Sequence, residues 1–321
     1  RTLSLKPDYA EANYNLGNAL RELGQLDDAV ASYDKAIVLN PNYAKAHFNL
    51  GNTLKELGRF DDAVDSFQKA LAIKPDFSAA NYNLGNTLKE LGRFDDAVAS
   101  FQKALALKPD FAEAHNNLGT VLQVLGQLDD AVSSFEKALA IKPNFSEAHN
   151  NLGTAFHHLG RLDEAMASYH KALAIKSDYA EAVRADGGRA GAHYNIGNAL
   201  KELGRLDEAM ASYHKALAIK PDFAEVNNNL GTAFQGLGRL DEAIASYHKA
   251  LAVKPDYAEA HYNLHALLLD PDDLAPAIKC IERAVEFDLS NTHYRFVLGM
   301  LLDYSGDAKQ ATTHFDLVEN G

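Results

Sequence analysis

Apolar and polar residues alternate along this chain with the ~3.6-residue period of amphipathic helices, and the whole alternation recurs every 34 residues. Pro7, Pro41, Pro75, Pro109 and Pro143 keep that interval, and so do Pro221 and Pro255. Residues 1–9 read as a partial helix and 10–179 as five regular repeats. Residues 180–223 form a repeat enlarged by ten residues near 183–192, 224–257 a regular one, 258–291 a degenerate one and 292–321 a partial C-terminal one. Counting positions from 1 within each repeat, Leu16 is position 7 and Gly17 position 8 of the first.

Punctuation splits each repeat into two helices, which predicts about 18 helices and no strand. Gly at position 15, from Gly24 and Gly58 to Gly306, suits a left-handed helix end. Asp at position 18 (Asp27, Asp61) is placed to cap the second helix, and Asp or Asn at position 33 to cap the next first helix. Pro at position 32 forbids continuation. Gly at position 8 costs ~1 kcal/mol inside a helix; the expected return is close approach of the helix backbones opposite Ala at position 20, as in Ala29 and Ala63. Tyr or Phe at position 24 beside Ala at position 27 reads as core, not as an aromatic binding box.

Leu16, Gly17, Ala29, Tyr33, Ala36 and Pro41 together resemble the tetratricopeptide repeat (TPR). Asn13, His47, Asn81 and His115 stand where that pattern has Trp, and position 11 is mostly Leu where it has Tyr. This subtype is similar to the TPR superhelix of O-linked N-acetylglucosamine transferases and to bacterial TPR proteins. The resemblance implies an all-α fold, a right-handed TPR superhelix or α-solenoid of helix-turn-helix repeats, with first helices lining its inner wall.

At 100° per residue, positions 3, 7, 10, 11 and 14 of the first helix share one side, expected to be buried: Ala12, Leu16, Ala19, Leu20 and Leu23 in the first repeat. Positions 2, 6, 9 and 13 fall on another side, expected to meet solvent or ligand. Position 6 is Asn in eight repeats: Asn15, Asn49, Asn83, Asn117, Asn151, Asn195, Asn229 and Asn263. Position 9 is Asn18, Asn52, Asn86, Thr120, Thr154, Asn198 and Thr232. Asn is a mediocre helix former, so a merely solvated face has no reason to select it. An amide offers a donor and an acceptor, and a row of them can bond extended peptide without reading its side chains. In the transferase-like repeats, position 6 carries an asparagine ladder that holds peptide. Copying of one harmless residue by duplication is the other explanation. Glu at position 2, as in Glu11, Glu113 and Glu147, gives the face an acidic edge. Position 5 is never Lys or Arg, which excludes a clamp for a carboxylate tail.

Two segments break the pattern. Val183 to Ala192 carries Gly187-Gly188, expected to break any helix and to place a loop, a bend or a displaced helix in the stack. It is either an insertion or the remnant of a longer deletion. In the eighth repeat His265 replaces Gly, Asp270-Pro271-Asp272-Asp273 replaces the tight turn and Pro276 enters the second helix, so looser packing is expected. The ninth has Val297 at the ladder position, with Met300 and Tyr304 expected to be exposed.

Composition narrows the function classes. Apolar residues are 47% and charged residues 23%, which fits a folded chain. No stretch nears the ~18 consecutive apolar residues of a membrane span. The formal charge of −13, with no basic run of five, opposes nucleic-acid binding. Cys280 stands alone, which points to a reducing, cytoplasmic setting. The opening Arg1-Thr2-Leu3 lacks Met and signal features, so the chain is expected to begin inside a larger protein. Thirteen histidines show no metal-ligand spacing, and no nucleophile, base and orienter converge, so neither cofactor nor catalysis is expected. A scaffold binding a protein or extended peptide in its groove follows. The alternatives are the substrate-targeting arm of a larger enzyme, of glycosyltransferase or methyltransferase type, and a solenoid that associates with itself end to end.

Overall fold

A computed structural model describes residues 9–175 and 182–319, with the backbone alone for 182–187 and 319. Of the expected partial helix at residues 1–9, residues 1–8 lie outside the described residues. The described residues are mainly α-helical, and the chain divides into two compact halves, Arg1–Arg161 and Leu162–Gly321. The first holds α1 (Ala10–Glu22), α2 (Leu26–Leu39), α3 (Ala44–Glu56), α4 (Phe60–Ile73), α5 (Ser78–Glu90), α6 (Phe94–Leu107), α7 (Ala112–Val124), α8 (Leu128–Ile141) and α9 (Ser146–His158). The second holds α10 (Leu162–Ala174), α11 (Ala182–Glu202), α12 (Leu206–Ile219), α13 (Ala224–Gly236), α14 (Leu240–Val253), α15 (Ala258–Leu267), α16 (Ala275–Phe287), α17 (Thr292–Tyr304) and α18 (Ala308–Glu319). Among the described residues these 18 helices are joined by turns, and only an isolated bridge, Asp270 with Asp273, has extended pairing.

Within each half every helix packs on its neighbours in sequence, and first helices of successive repeats also touch, as α1 does α3 and α3 does α5. The turn between the helices of a repeat is set by glycine. Gly24, Gly58, Gly92 and Gly126 all adopt φ between +71° and +75°, a region that costs other residues dearly. The expected caps do not form. The second helix starts at position 17, so Asp27 and Asp28 lie inside its first turn, where they meet the positive end of the helix dipole rather than bond a backbone N–H. Other first helices likewise begin after an aromatic residue such as Tyr43 or Phe77, with no side-chain cap, whereas α17 begins after Asn291, whose Oδ1 accepts from the Tyr294 N–H.

The nearest neighbours of the position-8 glycine are the ring atoms of the position-24 aromatic. A Cβ on Gly17 would lie 2.6 Å from the ring of Tyr33, and on Gly51 2.7 Å from that of Phe67. The glycine admits the position-24 aromatic, fully buried in both repeats. In the eighth repeat the volume is exchanged: His265 takes the glycine's place and Ile281 the aromatic's, and both are buried.

In the second repeat the predicted apolar stripe is buried, with Ala46, Leu50, Thr53 and Leu54 all under 8% exposed. In the first repeat it is not: Leu16 is 40% and Leu23 74% exposed. The second helix of a preceding repeat covers these positions in later repeats, and no such helix stands there among the described residues.

Gly187-Gly188 does not break the chain. Residues 182–202 form one 21-residue helix, α11, longer at its N-terminus than a regular 13-residue first helix such as α3. Glycine weakens a helix by ~1 kcal/mol without removing an N–H, whereas the flanking Ala185, Arg184, Arg189 and Ala190 are among the best helix formers. Ala190 and Ala192 are buried, so packing holds the extension's base.

Candidate functional site

Asparagines at position 6 recur on first helices that lie side by side within each half, and there the amides of Asn49, Asn83, Asn117, Asn151, Asn229 and Asn263 reach the preceding repeat. The Nδ2 of Asn49 donates to Asn18 Oδ1 at 2.8 Å and to the Tyr14 hydroxyl at 3.1 Å. Asn83 donates to Asn52 Oδ1 at 2.7 Å, and Asn117 to Asn86 Oδ1 at 2.7 Å and to the Tyr82 hydroxyl at 3.1 Å. In the second half Asn229 donates to Asn198 Oδ1 at 2.8 Å. Positions 6 and 9 therefore do not simply face solvent, as the helical wheel suggested. Asn15 is exposed, Asn49, Asn83, Asn117, Asn151, Asn195 and Asn263 are half-buried, and Asn229 is buried.

Where position 9 is Thr, a different atom takes over. Thr120 and Thr232 donate their hydroxyls to the carbonyls of Asn116 and Asn228 one turn back, and Thr154 does the same to Asn150. The acceptor for the next repeat then comes from position 5. Asn151 donates to Asn116 Oδ1 at 3.1 Å and Asn263 to Asn228 Oδ1 at 3.0 Å. Asn116 and Asn228 in turn donate to Glu147 and Glu259 of the following repeat. Two kinds of repeat result. Repeats one, two, three and six have Tyr or Phe at position 5 and Asn at position 9; repeats four, five and seven have Asn at position 5 and Thr at position 9. This paired change stood in the sequence and was the missed signal, because positions 5 and 9 are one helical turn apart and serve the same neighbour.

In the first kind, the position-5 ring packs between two others: Tyr82 lies 6.0 Å from Phe101 and 4.6 Å from Phe111, centroid to centroid. Tyr33 adds a bond from its hydroxyl to Asn18 Oδ1 at 2.8 Å, and burial pushes its pKa up to about 12, so it remains a donor at neutral pH. The position-4 histidines are accounted for similarly. His47 and His115 each place Nε2 3.0 Å from a proline carbonyl of the preceding turn.

A cavity of about 510 Å³ opens beside this row in the first half, lined by Asn18, Arg21, Glu22, Tyr33, Asn49 and Glu56. Arg21 pairs with Glu56 across it. The walls thus combine predicted ladder residues at positions 6 and 9 with charged residues at positions 12 and 13. No group of three His, Cys, Asp or Glu comes together among the described residues in a way that could hold a metal ion. Burial pushes the Cys280 thiol up in pKa, away from the reactive thiolate. No described helix is long and apolar enough to cross a membrane.

A stack of helical hairpins bearing a row of amides and a polar groove defines a helical-repeat scaffold for protein-protein interaction. The TPR repeat model matches residues 17–58, 85–126, 197–238 and 236–270, and further tetratricopeptide repeat models match 1–31, 44–77, 66–99 and 110–178. The chain belongs to the tetratricopeptide repeat family. The crystal structure of YrrB, a TPR protein with an unusual peptide-binding site, is 28% identical with a TM-score of 0.50, over 57% of this chain and 95% of that one. A crystal structure of MamA is 30% identical with a TM-score of 0.49, over 51% of this chain and 90% of that one. MamA from Desulfovibrio magneticus RS-1, 22% identical with a TM-score of 0.50 over 52% of this chain and 94% of that one, shares the fold. No curated protein sequence matches the chain.

Proposed function

We propose that the chain is a non-catalytic scaffold whose first helices hold an extended segment of a partner protein along the face of positions 6, 9, 12 and 13. One observation carries this reading: the amide row is anchored by its own inter-repeat bonds, so its remaining polar groups are held in place before a ligand arrives. Asn52 and Asn86 each spend Oδ1 on the next repeat and keep both N–H groups. Such pre-organisation lowers the ordering cost of binding. The cavity beside Asn18 and Asn49 lies on the same face, and the peptide-binding site named for YrrB supports a peptide as the ligand. The acidic balance, a formal charge of −13, favours a protein partner over nucleic acid.

Photo-crosslinking tests the assignment. A benzophenone amino acid at exposed Glu90, on the amide face, is compared with one at exposed Gln102, on the second helix. Twelve-residue peptides selected from a random display library on the whole chain are expected to crosslink at Glu90. Crosslinking at Gln102 alone, or no selected peptide, refutes the reading.

A further inference from the structure

The two kinds of repeat leave different groups unspent on the face just described. In repeats one to three, Asn18, Asn52 and Asn86 accept through Oδ1 from the next repeat, which turns the NH2 end of each amide away from its bonded partner. The Tyr33 hydroxyl fixes the same orientation for Asn18, since a phenol held neutral donates and needs the amide oxygen. Each of these repeats therefore offers two N–H donors at position 9. In repeat four the donor is gone. The Thr120 proton goes to the Asn116 carbonyl, and Asn116 spends its NH2 on Glu147 and on the neighbouring Asn117 oxygen. The second half repeats the contrast: Asn198 is of the first type, and Thr232 with Asn228 of the second. Charge follows the same division. Arg21, Lys55, Lys89 and Lys201 occupy position 12 in repeats of the first kind, where repeats four and seven have Gln123 and Gln235.

We propose that backbone carbonyl capture on this face is confined to repeats with Asn at position 9, and that Asn18, Asn52 and Asn86 are its donors in the first half. The occupant is an extended polypeptide segment whose carbonyl oxygens face α1, α3 and α5 and whose backbone receives no donor from α7. A uniform ladder, by contrast, would grip all along its length. This rests on the peptide-binding reading above and adds the direction of its hydrogen bonds.

The test converts one kind of repeat into the other. Tyr82→Asn with Asn86→Thr rewrites repeat three in the pattern of repeat four. The new Asn can still accept from Asn117, and Glu113 stands at position 2 of the next repeat, as Glu147 does after repeat four. The inter-repeat bond is thus kept while the free donor is lost, and thermal denaturation verifies the fold. The probes are display-selected twelve-residue peptides that crosslink at Glu90. Their affinity for the exchanged chain is expected to fall about 2- to 12-fold, the loss of one hydrogen bond. Replacing one peptide carbonyl by methylene should weaken binding to the parent similarly and cost little against the exchanged chain, whereas N-methylation should not distinguish the two. The reverse exchange, Asn116→Tyr with Thr120→Asn, should tighten binding of peptides long enough to reach α7. Unchanged affinity in a folded exchanged chain, with crosslinking at Glu90 intact, overturns the donor assignment and leaves the binding face standing. Absence of any peptide that crosslinks at Glu90 overturns both.

Discussion

The side-chain amide of Asn49 reaches back 31 residues to donate to Asn18 Oδ1 at 2.8 Å, on an atom that also accepts from the Tyr33 hydroxyl. One amide oxygen thus joins both helices of the first repeat to the first helix of the second. Half-buried, such bonds hold register between surfaces that are otherwise apolar and tolerant of sliding.

A double-mutant cycle on this pair measures what the bond contributes. Asn49→Ala should cost about 0.5–1.5 kcal/mol in chemical denaturation. The same change after Asn18→Ala should cost less, because the partner is already gone. Equal cost in both backgrounds would show that the two amides are not coupled. Asn83, Asn117 and Asn151 hold equivalent bonds, so their joint replacement by Ala is expected to lower stability as well as binding.

Three glycines should respond in opposite directions. Gly51→Ala drives a methyl into the buried Phe67 ring and should destabilise by about 1–3 kcal/mol, although alanine is the better helix former. Gly188 and Gly191 lie in α11 with open space around the missing Cβ. Alanine there should stabilise by up to ~1 kcal/mol each. Melting temperatures of the three variants decide the matter, and a fall at Gly188 would count against the continuous helix.

Acid should loosen the stack near His115. Burial, more than nearby Lys137, lowers the pKa of this imidazole below its ordinary value of 6.5, against the opposing bond to the Pro109 carbonyl. Its Nδ1 is buried without a partner, so a second proton has no acceptor. For a group with a depressed folded pKa the unfolded chain binds the proton more readily. The stability is therefore complete above pH 6.5 and lost as pH falls through the folded pKa. His115→Asn, the residue found at the matching Asn81, should flatten the stability profile between about pH 7 and 5.

Salt should matter little to folding. Arg93 and Asp96 pair within one helix start and are each about half exposed, at 47% and 57%. Pairs of this kind contribute at most a few tenths of a kcal/mol, so Arg93→Gln should leave the denaturation midpoint nearly unchanged at low and high ionic strength.

The hairpin architecture was legible because its determinants are local. The 34-residue period, the position-15 glycine with φ near +75° and the position-24 aromatic each act within one repeat. Asp27 was misread as a cap because the helix starts two residues earlier than its acids suggest, with Gln25 in the capping position. Gly187-Gly188 was misread because local breaker strength was weighed without its alanine and arginine neighbours. The amide row was found, and its exposure was misjudged. A helical wheel treats one helix at a time, whereas Asn151 is covered and bonded by a residue of the previous repeat, Asn116. Comparing positions 5 and 9 across repeats would have disclosed that, since Tyr82 with Asn86 and Asn116 with Thr120 are alternative answers to one neighbour's need.

That equivalence bears on how such a chain can change. A repeat of either kind ends by presenting an amide oxygen, and the next begins by presenting an amide hydrogen to meet it. Either kind can therefore precede a repeat with Asn at position 6, and one of the second kind calls in addition for Glu at position 2 of its successor, as Glu147 and Glu259 supply. Length and the order of the two kinds become heritable variables, free to drift or be selected wherever the following repeat supplies both groups.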